Sequence, residues 1–230
     1  MCVAEWSIGR RGSSLIRLTL SENGTNPLRV LCLGAHSDDI EIGCGGTLLL
    51  LKKTHPNLKL YWVVLSASGM RGREAAKSAE LFTAGCEAKV ELKDFRDRYL
   101  PYDGEKVKLY FDELKNRFEP NLIFTHWSGD AHQDHRLTSE LTWNTFRDHL
   151  ILEYEIPKYD GDIGRPNLFV PLDSSLCEEK VGHLFTVFES QGSKPWFARE
   201  TFLGLMRIRG MEANACSGYA EAFYAKKVSL

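Results

Sequence analysis

The sequence predicts a Rossmann-like three-layer α/β domain with a mainly parallel sheet. Three observations carry that prediction. Short apolar runs such as Arg29-Val30-Leu31-Cys32-Leu33-Gly34 alternate with segments of helical composition, and continuous apolar runs are what strands buried on both faces require. Alternating strands and helices imply right-handed crossovers. The two densest clusters of ligand-type side chains, His36-Ser37-Asp38-Asp39 and His132-Gln133-Asp134-His135, fall just after such runs, where open parallel sheets bind ligands.

Taken in order, residues 1–27 mix Gly, Ser and Arg and read as an N-terminal extension. Its alternating stretch Leu15 to Leu20 would add an edge strand, and Ser21-Glu22-Asn23-Gly24 reads as a turn. A single domain is expected over 28–230. The run from Arg29 is its first strand; Gly43 to Lys53 reads as a helix ending before His55-Pro56; Leu58 to Leu65 is the next strand. Arg71 to Ala84 is helical and stops at Gly85, a suitable C-cap residue. Glu105 to Phe118 is amphipathic, Asn121 to Thr125 is a buried strand, and Asp134 to His149 is a further helix. Beyond it, Tyr154-Glu155-Ile156-Pro157 and Leu168-Phe169-Val170-Pro171 read as extended pieces around an Asp160-Gly161-Asp162 turn. Helical composition returns over Ser174 to Phe188 and Trp196 to Arg209.

Bulk properties narrow the class. A length of 230 residues suits one sizeable domain, and a formal net charge of -2 argues against general affinity for nucleic acid or anionic membrane. The longest apolar candidate, Thr47 to Leu51, is far short of a membrane span. The N-terminus lacks the basic-then-apolar layout of a secretory signal, and the six scattered cysteines form no Cys-x-x-Cys pair. A reducing, cytoplasmic setting is the expectation.

The chemistry lies in the two clusters. A catalytic divalent metal takes nitrogen and carboxylate ligands and keeps a position open for water. His36 and Asp39, on one tight loop, with His135 from the second cluster make such a set, which suits zinc and is open to iron, cobalt or manganese. Asp38 is left over beside a ligand, able to take a proton from a water acidified by the metal. His132 could stabilise an oxyanion or protonate a leaving amine. Asp134 is a natural partner for His132 or for a ligand imidazole. His126, at a strand end, could line the site and touch substrate, whereas His55, His149 and His183 read as structural or exposed. Gly43-Cys44-Gly45-Gly46-Thr47 has neither the Lys of a P-loop nor a clean Gly-x-Gly-x-x-Gly; its glycines would let a helix N-terminus approach the metal loop.

Ala35-His36-Ser37-Asp38-Asp39-Ile40-Glu41-Ile42-Gly43, followed by Gly45-Gly46-Thr47-Leu48, resembles the signature of the LmbE-like, or PIG-L, deacetylases, zinc-dependent enzymes acting on N-acetylglucosamine-type sugars. The resemblance recurs at Arg71 to Ala76, Asp97-Arg98, His132 to Arg136 and Gly218 to Phe223. It implies His36, Asp39 and His135 as zinc ligands, Asp38 as general base and His132 as electrophile or general acid. It also implies Arg71 as a contact for substrate hydroxyls or a phosphate; Glu74, on the same helix, is as readily structural. Ser37 stands where proline or alanine is common, which alters loop stiffness more than chemistry. Ala131 stands where some relatives carry an arginine, so their grip on substrate does not carry over.

The resulting expectation is removal of an N-acetyl group from an amino sugar or sugar conjugate by attack of zinc-bound water, with a homo-oligomer compatible with the resemblance. Trp127 could stack on a sugar or pack internally. The alternatives are an amidase for a larger acyl group, a non-catalytic saccharide-binding protein, and a nucleotide-dependent enzyme using the Gly43 loop.

Overall fold

The computed structural model describes residue 20 and residues 26–228; the expected edge strand and turn of the N-terminal extension lie outside them, Leu20 apart. Seven strands, β1 (Arg29–His36), β2 (Lys59–Ser66), β3 (Glu87–Leu92), β4 (Leu122–His126), β5 (Leu150–Tyr154), β6 (Leu168–Leu172) and β7 (Tyr219–Ala225), form one sheet in the order β3-β2-β1-β4-β5-β7-β6. The first five run parallel, and β7 is antiparallel to both β5 and β6. Six helices complete the chain: α1 (Asp39–Thr54), α2 (Gly69–Thr83), α3 (Gly104–Arg117), α4 (Gln133–Thr145), α5 (Ser174–Val187) and α6 (Arg199–Glu212).

The period of two along each strand divides the core. Val30, Cys32, Trp62 and Phe124 point toward α1, α2, α5 and α6. Leu31, Leu33, Tyr61 and Ile123 point toward α3 and α4. The expected three-layer α/β architecture is therefore present. No helix among the described residues is long and apolar enough to cross a membrane.

Several boundaries differ from the sequence reading. Helix α1 starts at Asp39 rather than Gly43, so the first cluster sits on a strand end and the first helical turn instead of a free loop. Acidic Asp39 and Glu41 in the first turn and Lys52 and Lys53 in the last complement the helix dipole. The glycines lie within the helix. A Cβ on Gly43 would come 2.2 Å from the Tyr154 ring, and one on Gly46 would meet Leu172 at 2.5 Å. They bring α1 down onto the sheet, and no phosphate loop forms. Glu221 of β7 locks this approach: its carboxylate accepts from the Gly46 and Thr47 amides (2.8 and 2.7 Å), the Thr47 hydroxyl (2.6 Å) and the Lys180 ammonium (2.7 Å).

Helix α4 stops at Thr145, and the strand placed near Tyr154–Pro157 is instead Leu150–Tyr154, paired in register with β4. Strands β3 and β7 appear where none was assigned, and α6 starts at Arg199 rather than Trp196.

Candidate metal centre and active site

Strands β1 and β4 are parallel neighbours, so their carboxyl ends open on the same crevice. The end of β1 supplies His36, and the start of α1 supplies Asp38 and Asp39. The end of β4 supplies His126, and the start of α4 supplies His132, Asp134 and His135. Arg71 comes from the first turn of α2. All eight expected site residues gather here.

Donor atoms of His36, Asp39 and His135 lie close together, with different oxygens of Asp39 facing the two imidazoles. His36 Nδ1 lies 3.1 Å from His135 Nε2 and 3.3 Å from Asp39 Oδ2, and His135 Nε2 lies 3.6 Å from Asp39 Oδ1. Donors about 2.0–2.1 Å from a tetrahedral zinc ion are separated by roughly 3.3 Å, a spacing that these pairs approach. Among the described residues, the triads whose single donor atoms all lie within 4.8 Å of one another are His36–His132–His135, Asp39–His126–His135 and His36–Asp97–Asp134. The remaining ring nitrogens meet carboxylates, the arrangement that orients metal-binding imidazoles. His135 Nδ1–H donates to Asp130 Oδ2 at 3.0 Å; His36 Nε2 faces Asp97 at 3.1 Å and Asp134 at 3.3 Å. Asp134 thus serves the imidazole of His36, and its carboxylate also accepts from the backbone amides of Arg98 (2.7 Å) and Leu100 (3.2 Å). Arg98 adopts φ +66 to present its amide.

The electrostatics suit a cation. Burial pushes the Asp39 carboxyl up, but His135, His126 and His36 outweigh it and hold Asp39 well below the usual carboxylate range. Burial lowers His36, yet Asp39, Asp134 and Asp97 raise it well above an ordinary imidazole. His135 is pushed down to about 4 by burial and by His126. Five aspartates (Asp38, Asp39, Asp97, Asp130 and Asp134) crowd the crevice, four of them buried, and buried charge of one sign requires a counter-charge.

Asp38 is buried and carries the Arg71 guanidinium on Oδ1 at 2.5 Å. Burial raises its pKa against the pull of Arg71. Arg71 keeps its side chain 30% exposed, placing it between Asp38 and the opening. His132 caps α4, its Nδ1 accepting from the Asp134 amide at 3.3 Å. That bond fixes the tautomer with the proton on Nε2. Burial and His36 lower the pKa of His132.

One expectation is corrected, and an open alternative is resolved. His126, expected to line the site for substrate, is fully buried and stacked on His135 with ring centroids 3.9 Å apart. Its Nε2 accepts from the Ala35 amide at 3.0 Å and lies 3.1 Å from Asp39 Oδ2, which sets it beside Asp39 and His135 as a candidate metal donor and, fully buried, out of a substrate's reach. Trp127 stacks on Tyr224 (4.8 Å, 9°) instead of presenting a face for a sugar. Glu74 binds the Ser190 amide and hydroxyl (2.9 and 2.6 Å), a structural contact.

Sequence reasoning missed Asp130 as the partner of His135. Its signal was a second carboxylate in that cluster, two residues ahead of His132. Asp97, noted only within a motif, reaches His36, and Lys158, which binds Asp130, gave no sequence signal.

Residues 31–146 match the family model described as "PIG-L: GlcNAc-PI de-N-acetylase", and the chain belongs to this deacetylase family. It is 28% identical over 137 residues to the uncharacterized deacetylase YaiS of Escherichia coli (strain K12), covering 56% of this chain and 74% of that one. The fold is similar to that of N,N'-diacetylchitobiose deacetylase from Pyrococcus horikoshii (TM-score 0.64, 19% identity, 86% of this chain and 83% of that one). It is also similar to GalB, the 4-carboxy-2-hydroxymuconate hydratase of Pseudomonas putida KT2440 (TM-score 0.70, 18% identity, 88% and 98%). At these identities the likeness concerns the fold, and the side chains at the crevice must carry the argument about chemistry.

Proposed function

We propose that the protein is a metal-dependent N-deacetylase that releases acetate from an N-acetylated amino sugar or sugar conjugate. The observation that carries this reading is the cluster of His36, Asp39 and His135, whose nitrogen and carboxylate atoms approach one another pairwise at 3.1, 3.3 and 3.6 Å, with a further carboxylate, Asp38, beside it. A protein that only bound saccharide would need no such spare base.

His36, Asp39 and His135 would hold the metal, most suitably zinc, which when bound acidifies a water and polarises the amide carbonyl. Arg71 fixes Asp38 through Oδ1, leaving Oδ2 to take the proton of the attacking water. His132 presents Nε2–H as a donor to the carbonyl oxygen as negative charge develops there, a role open to the neutral imidazole. Asp38, carrying the water's proton, returns it to the nitrogen as the C–N bond breaks, giving acetate and a free amine. The second terminal nitrogen of the Arg71 guanidinium would hold a substrate hydroxyl.

The test is acetate release by zinc-loaded protein from N-acetylglucosamine conjugates, with a panel of longer acyl chains as comparison. Asp38→Ala should keep its metal and lose about 10²–10⁴-fold in turnover. Full turnover in that variant would remove Asp38 as the base, and preference for a long acyl group would replace the deacetylase by an amidase.

A further inference from the structure

The segment 155–167, between β5 and β6, crosses the sheet's active end beyond the region that the family model matches. It is anchored at one end by a buried pair, with Arg209 Nε and Nη2 donating to Glu155 at 2.9 and 2.6 Å, and further along by Arg209 donating to the Gly164 carbonyl at 3.0 Å. Between these anchors Lys158 turns inward, its side chain only 11% exposed. Its ammonium lies 3.0 Å from Asp130 Oδ2, the same oxygen that accepts from His135 Nδ1 at 3.0 Å. The other oxygen of Asp130 accepts from the His132 amide at 2.7 Å. Lys158 also binds Asp162, which in turn accepts from the Ala131 amide at 2.7 Å.

We propose that Lys158 is a positioning residue of the metal centre, acting through Asp130 on His135. Asp130 is 2% exposed, and an isolated carboxylate at that depth is costly. The Lys158 ammonium supplies the compensating charge and fixes the oxygen to which His135 donates. His135 thereby keeps Nδ1–H and aims the Nε2 lone pair at the point shared with His36 and Asp39. The segment 155–167 thus adds a member to the chain Asp162–Lys158–Asp130–His135, reaching a site otherwise built from the first two-thirds of the protein. This inference rests on the metal reading of the site.

The test is a double-mutant cycle on metal affinity, with chelator competition for Zn2+ and the visible spectrum of the Co2+ form as readouts. Lys158→Met should weaken Zn2+ binding by about tenfold, the lower end of the range for outer partners of metal ligands, and shift the Co2+ bands. Lys158→Arg should restore both. Lys158→Gln, similar in length and uncharged, should weaken binding as Met does and serves if the Met variant does not fold. In an Asp130→Asn background, Lys158→Met should cause no further loss. Wild-type affinity and spectrum in folded Lys158→Met or Lys158→Gln would overturn the proposal, as would an equal additional loss in the Asp130→Asn background. Failure of the wild type to bind either ion would instead overturn the metal reading, and this inference with it.

Discussion

Asp134 shows how tightly single residues are committed at this site. Both of its oxygens accept from backbone amides, and one also faces His36. Asp134→Asn would set an NH2 group against one of those N–H donors, so a folded-state loss of about 1–3 kcal/mol is expected. Metal affinity should fall by about 10–100-fold as His36 loses its orientation. Urea unfolding and chelator competition would measure the two effects, and wild-type values in both would contradict this role. The ligand-type residues were legible in the sequence because His and Asp seldom crowd together without a task. Their pairing was less legible. Asp134 was assigned to His132 or to a ligand imidazole, and only the fold shows that the imidazole it serves is that of His36. His126 was misplaced because a histidine at a strand end looks the same in sequence whether it faces the crevice or packs behind it.

At the scale of elements, α1 carries the site because it lies close on the sheet. Gly43→Ala would drive a methyl group into the Tyr154 ring, whose hydroxyl donates to the Leu33 carbonyl at 2.6 Å and so resists moving. Overpacking of this kind costs about 1–3 kcal/mol; a lowered thermal midpoint is expected, and an unchanged one would show that α1 can shift freely. Strands β1, β2 and β4 and most helices could be read from apolar runs and caps. Strand β3 could not, since its Glu87-Ala88-Lys89-Val90-Glu91-Leu92 sequence lies on an edge with four of six residues exposed. Strand β7 mixes a buried glutamate with aromatics, and its partners β5 and β6 and the α1 amides that Glu221 binds are distant in sequence. The start of α1 was set four residues late because Asp38-Asp39 reads as loop, although acidic residues favour a first helical turn.

Across the whole molecule, the outer edge of the sheet is tied to α3 by Glu91, which accepts from Tyr61 (2.6 Å), Tyr110 (2.7 Å) and Arg117 (2.8 Å). Partial burial raises this carboxyl, but the Tyr61 and Tyr110 hydroxyls together with Lys89 and Arg117 outweigh it and hold the group at about 2 against 4.5 for an ordinary glutamate. The folded chain therefore binds this proton less readily than the unfolded one. The contribution of Glu91 is complete above pH 4.5 and fades as pH falls through about 2. The gap in thermal midpoint between wild type and Glu91→Gln should be widest near neutral pH and close across that window. A gap independent of pH would contradict the assignment.

The central claim is that His36, Asp39 and His135 hold one divalent metal. Metal content after zinc loading and removal of excess ion, compared between wild type and His135→Ala, tests it most directly. Close to one equivalent is expected in the wild type and little in the variant. Equal content in both, or none in the wild type, would contradict it.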